Sequence, residues 1–401
     1  MLAGKRILIG VSGGIAAYKI PALIRSLVKN GAEVRVTATK NALEFVTELT
    51  LQTLSGSRVY SDVFAAINEH STEHISLPDW CDVMLVAPAT ADVVAKTAAG
   101  IADDALTTTI CSCVARKPVL IAPAMNDKMW ENPATQKAVE TIRNWQNVSV
   151  LEPEEGPLAC GTSGKGRMPE IEELQEAIEY ALCPKSMAGK RVLITAGGTQ
   201  EPIDPVRFIS NYSTGKMGIA LAQACARRGA TVTLVCGAVS QPVRNPFGTI
   251  RRVNTLSAKL MYDVCTNEWQ ETDIAILCAA VADFTPARTA NEKIKKIPGQ
   301  TEMTLLLKET EDIARALGKH KKENQLLIGF ALETEHEKEN ALRKMERKRL
   351  DAIVLNSLRN AGAGFGVDTN RVTILCANGN SKELPLQSKA ETAEGIINYL
   401  I

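Results

Sequence analysis

Ala3-Gly-Lys-Arg-Ile-Leu-Ile-Gly10 opens the chain, and Ala188-Gly-Lys-Arg-Val-Leu-Ile-Thr195 repeats it almost residue for residue. Each copy is a basic hinge and an apolar β-branched run. A glycine-rich turn follows, Gly10-Val-Ser-Gly-Gly14 in the first and Ala196-Gly-Gly-Thr199 in the second. An apolar run of strand length that empties into glycines is how the first strand and turn of a nucleotide-binding α/β domain read. The repeat predicts that a second such domain starts near residue 188, so residues 1–187 and 188–401 are expected to be separate domains.

A chain of 401 residues with 45% apolar side chains is long enough to bury two cores. The net charge of +1 gives no global pull towards nucleic acid or an anionic membrane, so neither is an expected partner. No apolar run reaches transmembrane length, and no leader is expected ahead of the first strand. The ten cysteines are scattered without a C-x-x-C pair, and disulfides are not expected. These features describe a bacterial-type soluble cytoplasmic protein.

The first half reads as alternating strands and helices. Strands are expected at Lys5–Gly10, Glu33–Thr39, Val83–Ala87 and Val119–Ala122, with helices at Ile15–Lys29 and about Ile171–Leu182. Their apolar runs do not alternate, as in buried parallel strands. Residues 152–169 read as a long Gly/Pro loop, and Pro184–Gly189 as a linker. In the second half, strands are expected at Arg191–Thr195, Thr231–Val235, Asp273–Ala279, Leu326–Phe330 and Ala352–Asn356. Helices are expected at Gly218–Arg228 and roughly Glu337–Arg349. The polar, lysine-rich residues 285–300 read as a mobile flap, and Arg371–Cys376 with Lys382–Leu386 as a closing hairpin. Both halves are therefore expected to be doubly wound parallel-sheet domains of Rossmann-like α/β class.

Ligands of such sheets gather at the carboxyl ends of the strands, and the polar motifs fall there. Gly10-Val-Ser-Gly-Gly14 offers backbone N–H groups and a helix start to a phosphate, although a tight structural turn accounts for it equally well. The next strand ends in Thr39-Lys40, without the acid that binds a ribose diol, which disfavours NAD and leaves room for a mononucleotide. Pro123-Ala-Met-Asn126-Asp-Lys-Met-Trp130 places an amide at the sheet edge, where it can hold a carboxylate or carbonyl in a fixed direction. Cys160 lies in a glycine-rich polar loop with Lys165 and Arg167 nearby to lower its pKa or bind an anion. His74 is one of only four histidines.

The glycine turn with Ile-Ala-Ala-Tyr-Lys19, His74, Pro88-Ala-Thr90, the Asn126 string and the Ala-Cys160-Gly loop together resemble the flavin-dependent cysteine decarboxylase family. The closer likeness is to the decarboxylase half of the bifunctional coenzyme A biosynthesis family. That resemblance implies a flavodoxin-like flavoprotein with FMN at the sheet edge and 4′-phosphopantothenoylcysteine as substrate. Oxidation of the substrate thiol by the flavin creates the electron sink that lets CO2 depart, and reduction and protonation then give 4′-phosphopantetheine. By resemblance, Cys160 is the final proton donor, Asn126 orients the departing carboxylate and His74 handles a proton. Ser12, Gly13, Gly14, Thr39, Ala89, Thr90 and Met125 match FMN-contacting positions. Asp92 departs from the Asn that several relatives carry there, which reads as a branch variation.

In the second half, Ile209-Ser-Asn211-Tyr-Ser-Thr-Gly-Lys-Met-Gly218 suits a phosphate or carboxylate. Ala279-Ala-Val-Ala-Asp283 follows a buried strand, and Lys293-Ile-Lys-Lys296 concentrates positive charge as a triphosphate requires, although solvation also explains it. These strings resemble the phosphopantothenate–cysteine ligase family across about 188–401. The resemblance implies activation of 4′-phosphopantothenate by CTP through an acyl-cytidylate, followed by attack of the cysteine amine. It gives Asn211 to stabilising that intermediate and Lys293 to the attack. Ala279, Asp283, Lys293, Asp312, Phe330, Lys344 and Lys348 match CTP-contacting positions. Mg2+ is expected mainly on the CTP phosphates, with no protein cage. A homo-oligomer is also implied, with trimeric flavin domains and dimeric ligase domains building a dodecamer.

Two other readings compete. A non-catalytic regulatory flavoprotein would lack the thiol loop, and Cys160 with Asn126 argues against it. A tandem nicotinamide oxidoreductase is opposed by the missing ribose acid and by the Lys293–Lys296 cluster.

Overall fold

The computed structural model describes residues 2–64, 73–157, 161, 163–296, 298–299, 301–333, 335–357, 359 and 362–401. The chain divides into two compact units, Met1–Cys183 and Pro184–Ile401.

In the first unit, β1 (Arg6–Val11), α1 (Ile20–Lys29), β2 (Glu33–Ala38), α2 (Glu48–Ser55) and β3 (Val59–Tyr60) form one wing. The other wing holds α3 (Glu73–Trp80), β4 (Val83–Ala89), α4 (Ala91–Ala99), α5 (Ala105–Cys113), β5 (Val119–Pro123), α6 (Asp127–Trp130), α7 (Pro133–Arg143) and β6 (Val148–Val150). The six strands pair in parallel in the order β3-β2-β1-β4-β5-β6. Every residue of β4 and β5 is buried, because helices cover both faces of the sheet. The winding direction reverses between β1 and β4, and a crevice opens there at the carboxyl edge.

Two segments differ from the sequence reading. The helix expected from Ile15 begins as a 3₁₀ turn, Ile15–Lys19, and becomes α-helical at Ile20, where Pro21 in the first turn needs no N–H partner. Residues 152–169 are not an open loop: β7 (Glu154–Pro157) and β8 (Ser163–Arg167) form an antiparallel hairpin. Its register sets Glu154 opposite Arg167 and Glu155 opposite Lys165, pairs of opposite charge that favour strand pairing where hydrophobicity does not. Helix α8 (Ile171–Leu182) closes the unit.

The second unit begins with β9 (Arg191–Ala196), a short hairpin of β10 (Glu201–Pro202) and β11 (Phe208–Ile209), α9 (Lys216–Arg227), β12 (Thr231–Cys236), β13 (Ile250–Asn254) and α10 (Ala258–Trp269). It continues with β14 (Ile274–Leu277), β15 (Phe284–Pro286), β16 (Leu307–Glu309), α11 (Ile313–Lys319), β17 (Leu326–Glu333), α12 (Glu337–Arg347), β18 (Ala352–Ser357), β19 (Thr369–Cys376), β20 (Ser381–Ser388) and α13 (Lys389–Leu400). The main sheet runs β13-β12-β9-β14-β17-β18-β19-β20, parallel as far as β18 and antiparallel at β19 and β20. Its reversal point lies between β9 and β14. A capping box of Ser388 and Glu391 starts α13, and buried Arg227, the last residue of α9, and Arg228, its C-cap, share Glu394 of α13.

The expected flap at 285–300 is partly structured. Its start forms β15, paired with β16, and Ala290 N–H donates to Ile203 O at 3.0 Å. Among the described residues all cysteines are free, and no helix is long and apolar enough to cross a membrane.

Candidate active sites

Ser12, Thr39 and Thr90 each follow the last residue of a strand, β1, β2 and β4, which lie side by side. Sheet geometry therefore brings three hydroxyls, far apart in sequence, to one level at the reversal point. Ser12 Oγ donates to Pro88 O at 2.7 Å and accepts from Thr90 N–H at 3.0 Å, tying the two turns together. Thr39 Oγ1 accepts from Ala42 N–H at 3.2 Å and starts a 3₁₀ turn. Ser12, Gly13, Thr39 and Thr90 line one cavity of about 480 Å³, within the range of small-molecule cofactor sites. A Cβ on Gly13 would sit 2.5 Å from Asn41 Cβ and 2.9 Å from its backbone, so the turn admits only glycine at that close approach.

Gly14, Ala89 and Met125 are not among the lining residues of this cavity. Gly14 flanks it in extended conformation, and a Cβ there would meet Thr90 Cγ2 at 3.3 Å. Ala89 is the buried end of β4, and its carbonyl accepts from Ala124 N–H at 2.9 Å, which links it to the turn that carries Met125. Asp92 lines the cavity and pairs at 3.2 Å with Lys96, which also holds Asp103, so one ammonium serves two carboxylates.

Asn126 caps the short helix α6, its Oδ1 accepting from Lys128 N–H at 2.9 Å. Strand β8 returns directly over it: Met125 N–H donates to Gly166 O at 2.9 Å, and a Cβ on Gly166 would lie 2.2 Å from Met125 O. Strand β8 is thus seated on the Asn126 turn. Cys160 itself lies outside the described residues. Lys165 is paired with Glu152 at 2.6 Å, and Arg167 with Glu170 and Glu154. Both side chains are thus paired with carboxylates at the exposed face of the hairpin. His74 is half-buried in the first turn of α3 and does not line the cavity.

In the second unit, six of the seven positions matched to CTP contacts meet in one cleft of about 860 Å³: Ala279, Asp283, Asp312, Phe330, Lys344 and Lys348. They come from the ends of β14 and β17, the start of α11 and the last turns of α12. The turn after β14 is held by Thr195 Oγ1, which accepts from Ala279 N–H at 3.0 Å, and by Thr199 Oγ1, which accepts from Ala282 N–H at 2.9 Å. Asp312 caps α11 through Arg315 N–H at 3.1 Å and accepts from Lys348 Nζ at 2.9 Å. Burial pushes its carboxyl up, but Lys348 and the Arg315 N–H outweigh burial and hold it below the usual carboxylate range.

Asn211 reaches the same reversal point from the other side. Its Nδ2 donates to Ala280 O at 2.5 Å, and its Oδ1 accepts from Ser213 N–H at 3.0 Å. Lys293, the seventh position, is exposed and does not line the cleft. Lys319, His320 and Arg347 do line it, and sequence reasoning missed them. Arg347 was recoverable, since it follows Lys344 by one helical turn and so shares its face. Lys319 and His320 carried no signal, because the end of α11 reaches the cleft only through the sheet's winding.

The molecule is thus of the class of two-unit α/β enzymes, with a nucleotide- or cofactor-sized site at the sheet reversal point of each unit. The flavoprotein family matches residues 1–182, and the DNA/pantothenate metabolism flavoprotein C-terminal domain matches residues 187–401. The chain is 46% identical over 403 residues to the coenzyme A biosynthesis bifunctional protein CoaBC of Bacillus subtilis (strain 168), covering 100% of this chain and 97% of that one. It is also 49% identical over 361 residues to a cysteine/cysteine sulfinic acid decarboxylase of an unknown prokaryotic organism, covering 89% and 99%. A crystal structure of the C-terminal domain of CoaBC aligns at 37% identity with a TM-score of 0.45, covering 54% of this chain and 95% of that one. The chain belongs to the family of bifunctional coenzyme A biosynthesis proteins.

Proposed function

We propose that this chain is a bifunctional enzyme of coenzyme A biosynthesis, a carboxy-lyase and an acid–amino-acid ligase on one polypeptide. The second unit, from about residue 188, joins 4′-phosphopantothenate to cysteine with CTP through an acyl-cytidylate. The first, to about residue 187, decarboxylates the 4′-phosphopantothenoylcysteine so formed to 4′-phosphopantetheine. The observation that carries the reading is the assembly of two separate polar sites at two sheet reversal points, on a chain whose likeness to CoaBC runs its full length.

FMN fits the first site: Ser12, Gly13, Thr39 and Thr90 surround a cofactor-sized cavity, and a Cβ on Gly13 would close its cradle. Bound there, FMN supplies the two-electron chemistry that makes the carbon beside the thiol able to lose CO2. Asn126 orients the substrate carboxylate, with strand β8 packed on the turn that carries it. Cys160 delivers the closing proton, and His74 handles a proton at the same site.

In the second unit, Phe330 and Ala279 line the apolar part of the nucleotide cleft, with Asp283 beside them. Lys344 and Lys348 hold phosphate or base edges, with Asp312 setting the Lys348 ammonium. Among the described residues no cluster of His, Cys, Asp and Glu would hold a metal, so Mg2+ would be bound through the CTP phosphates, where it would offset their charge. Asn211 holds the activated carboxyl, and Lys293 serves the attack of the cysteine amine. The exposed Ile15, Tyr18, Phe45 and Leu49 support a homo-oligomeric first unit, trimeric within a dodecamer whose second units pair as dimers. The enzyme works in the cytoplasm.

Incubating the protein with 4′-phosphopantothenate, cysteine, CTP and Mg2+ tests both halves. CMP, pyrophosphate and CO2 are expected together. CMP without CO2 refutes the first assignment, and neither product refutes both.

A further inference from the structure

The hairpin β10–β11 and the turn between its strands hold a carboxylate that the chemistry above does not use. Asp204 is 2% exposed, yet both of its oxygens are fully engaged. Oδ1 accepts from Val206 N–H at 2.9 Å and Arg207 N–H at 2.8 Å, which folds the turn. Oδ2 accepts from Arg207 Nε at 3.0 Å and, from far along the chain, from Ile294 N–H at 3.1 Å. Arg207 Nη2 completes the grip by donating to Ile294 O at 2.8 Å. Both backbone groups of the residue after Lys293 are therefore clamped to one turn.

A second tether stands just upstream, where Ala290 N–H donates to Ile203 O at 3.0 Å and Thr289 Oγ1 to Pro202 O at 3.2 Å. Lys293 projects from the short span between the two tethers, and its side chain is exposed. The same hairpin runs through β11 into Asn211, whose amide reaches Ala280 O. One small element thus sets the backbone of both residues assigned to the acyl-cytidylate chemistry. A lysine on an untethered flap would have to find its position in each turnover. A lysine whose neighbour is held by two hydrogen bonds has most of that search removed.

We propose that Asp204 is a positioning residue for the ligase step: its Oδ2 anchors Ile294 and so fixes where Lys293 meets the cysteine amine and the acyl-cytidylate. The proposal deepens the ligase reading and rests on it. The anchor serves the second half-reaction. Forming the acyl-cytidylate and releasing pyrophosphate uses the cleft residues, which do not include Lys293, and Asn211. Asn211 is held by its own bonds to Ala280 O and Ser213 N–H, so this step does not draw on the Oδ2 anchor.

The two oxygens permit a selective variant. In Asp204→Asn, Oδ1 keeps the turn while an N–H₂ group faces Ile294 N–H, donor against donor. Asp204→Ser keeps a turn acceptor without reaching Ile294. Both are made in the full chain and assayed with 4′-phosphopantothenate, CTP and Mg2+, first without cysteine for pyrophosphate release and then with cysteine for amide formation. Pyrophosphate release is expected within about threefold of wild type, while amide formation falls about tenfold to a hundredfold and the acyl-cytidylate accumulates. Adding Asp204→Asn to Lys293→Gln is expected to slow the second step no further.

Equal loss of both half-reactions in both variants marks a merely structural residue and overturns the proposal. So does unchanged amide formation, or a double variant slower than Lys293→Gln alone. Lys293→Gln by itself separates the two levels: if that variant forms the amide at the wild-type rate, the reading of Lys293 fails, whatever Asp204 does.

Discussion

Replacing Gly166 with alanine probes how closely strand β8 sits on the Asn126 turn. Strand β8 crosses the Asn126 turn so closely that an added Cβ would stand 2.2 Å from Met125 O and 3.3 Å from Asn126 C and Asp127 N. All three are backbone atoms, held by the Met125 N–H to Gly166 O bond, so no side chain can swing aside. Ordinary contact is restored only if the hairpin retreats by about 1 Å, a misplacement that typically costs about a hundredfold in rate when it separates reacting groups. The Gly166→Ala enzyme is therefore expected to release CO2 from 4′-phosphopantothenoylcysteine about a hundredfold more slowly. It should keep its flavin, because the cavity lining at Ser12, Thr39 and Thr90 is untouched, and pyrophosphate release from CTP by the second unit should be unchanged. Single-turnover CO2 release, flavin absorbance and pyrophosphate release on one preparation decide the matter. A variant that decarboxylates at the wild-type rate would falsify the idea that the close seat of β8 on the Asn126 turn matters to the reaction. Loss of flavin as well would show that the strand supports the cofactor site instead.

Gly13→Ala forces the Asn41 backbone away from the glycine turn. At about 1–3 kcal/mol for overpacking, FMN binding to stripped protein should weaken by roughly fivefold to more than a hundredfold; unaltered binding by fluorescence quenching would refute the cradle. Glu394→Gln removes the carboxylate that buried Arg227 and Arg228 share, and among the described residues Arg228 then keeps only its bonds to Ala224 O and Asn398 Oδ1. That should destabilise the second unit by about 3–5 kcal/mol and lower its melting temperature by about 6–20 °C, with flavin release from the first unit unmoved. Asp312, whose folded pKa is depressed, stabilises the fold fully above its ordinary value near pH 4 and loses that contribution as pH falls through the lower folded value. The stability gap between wild type and Asp312→Asn should thus be flat at neutral pH and shrink on acidification below about pH 4 in urea titrations. A gap that widens in acid would reverse the assigned sign.

Much of the fold was legible because buried parallel strands need uninterrupted apolar runs, and those runs stand out in any sequence. The expected strands at Glu33, Val83, Val119, Thr231 and Ala352 all form, within a residue or two of their predicted ends. The hairpin at 154–167 was hidden because charge pairing across the strands, rather than apolar alternation, stabilises it. The segment at 285–300 read as a flap because its lysines are solvated. The contacts that tether it are backbone groups and one aspartate some ninety positions earlier, which leave no local pattern.

By itself the sequence determined that two α/β units follow one another, and which turns carry polar side chains at their sheet edges. Strand length, glycine placement and apolar runs are local properties, and these decide secondary structure where burial is complete. Only the tertiary structure decided which of those turns meet. Ser12, Thr39 and Thr90 converge because β2, β1 and β4 are neighbours, and Asp312 meets Lys348 because α11 and α12 flank one cleft. It also decided that Lys165 pairs with Glu152 and Arg167 with Glu170, and that Ile294, beside Lys293, is tied to Asp204. Strand order and hydrogen bonds between distant residues follow from how the whole sheet winds, and no window of sequence contains that information.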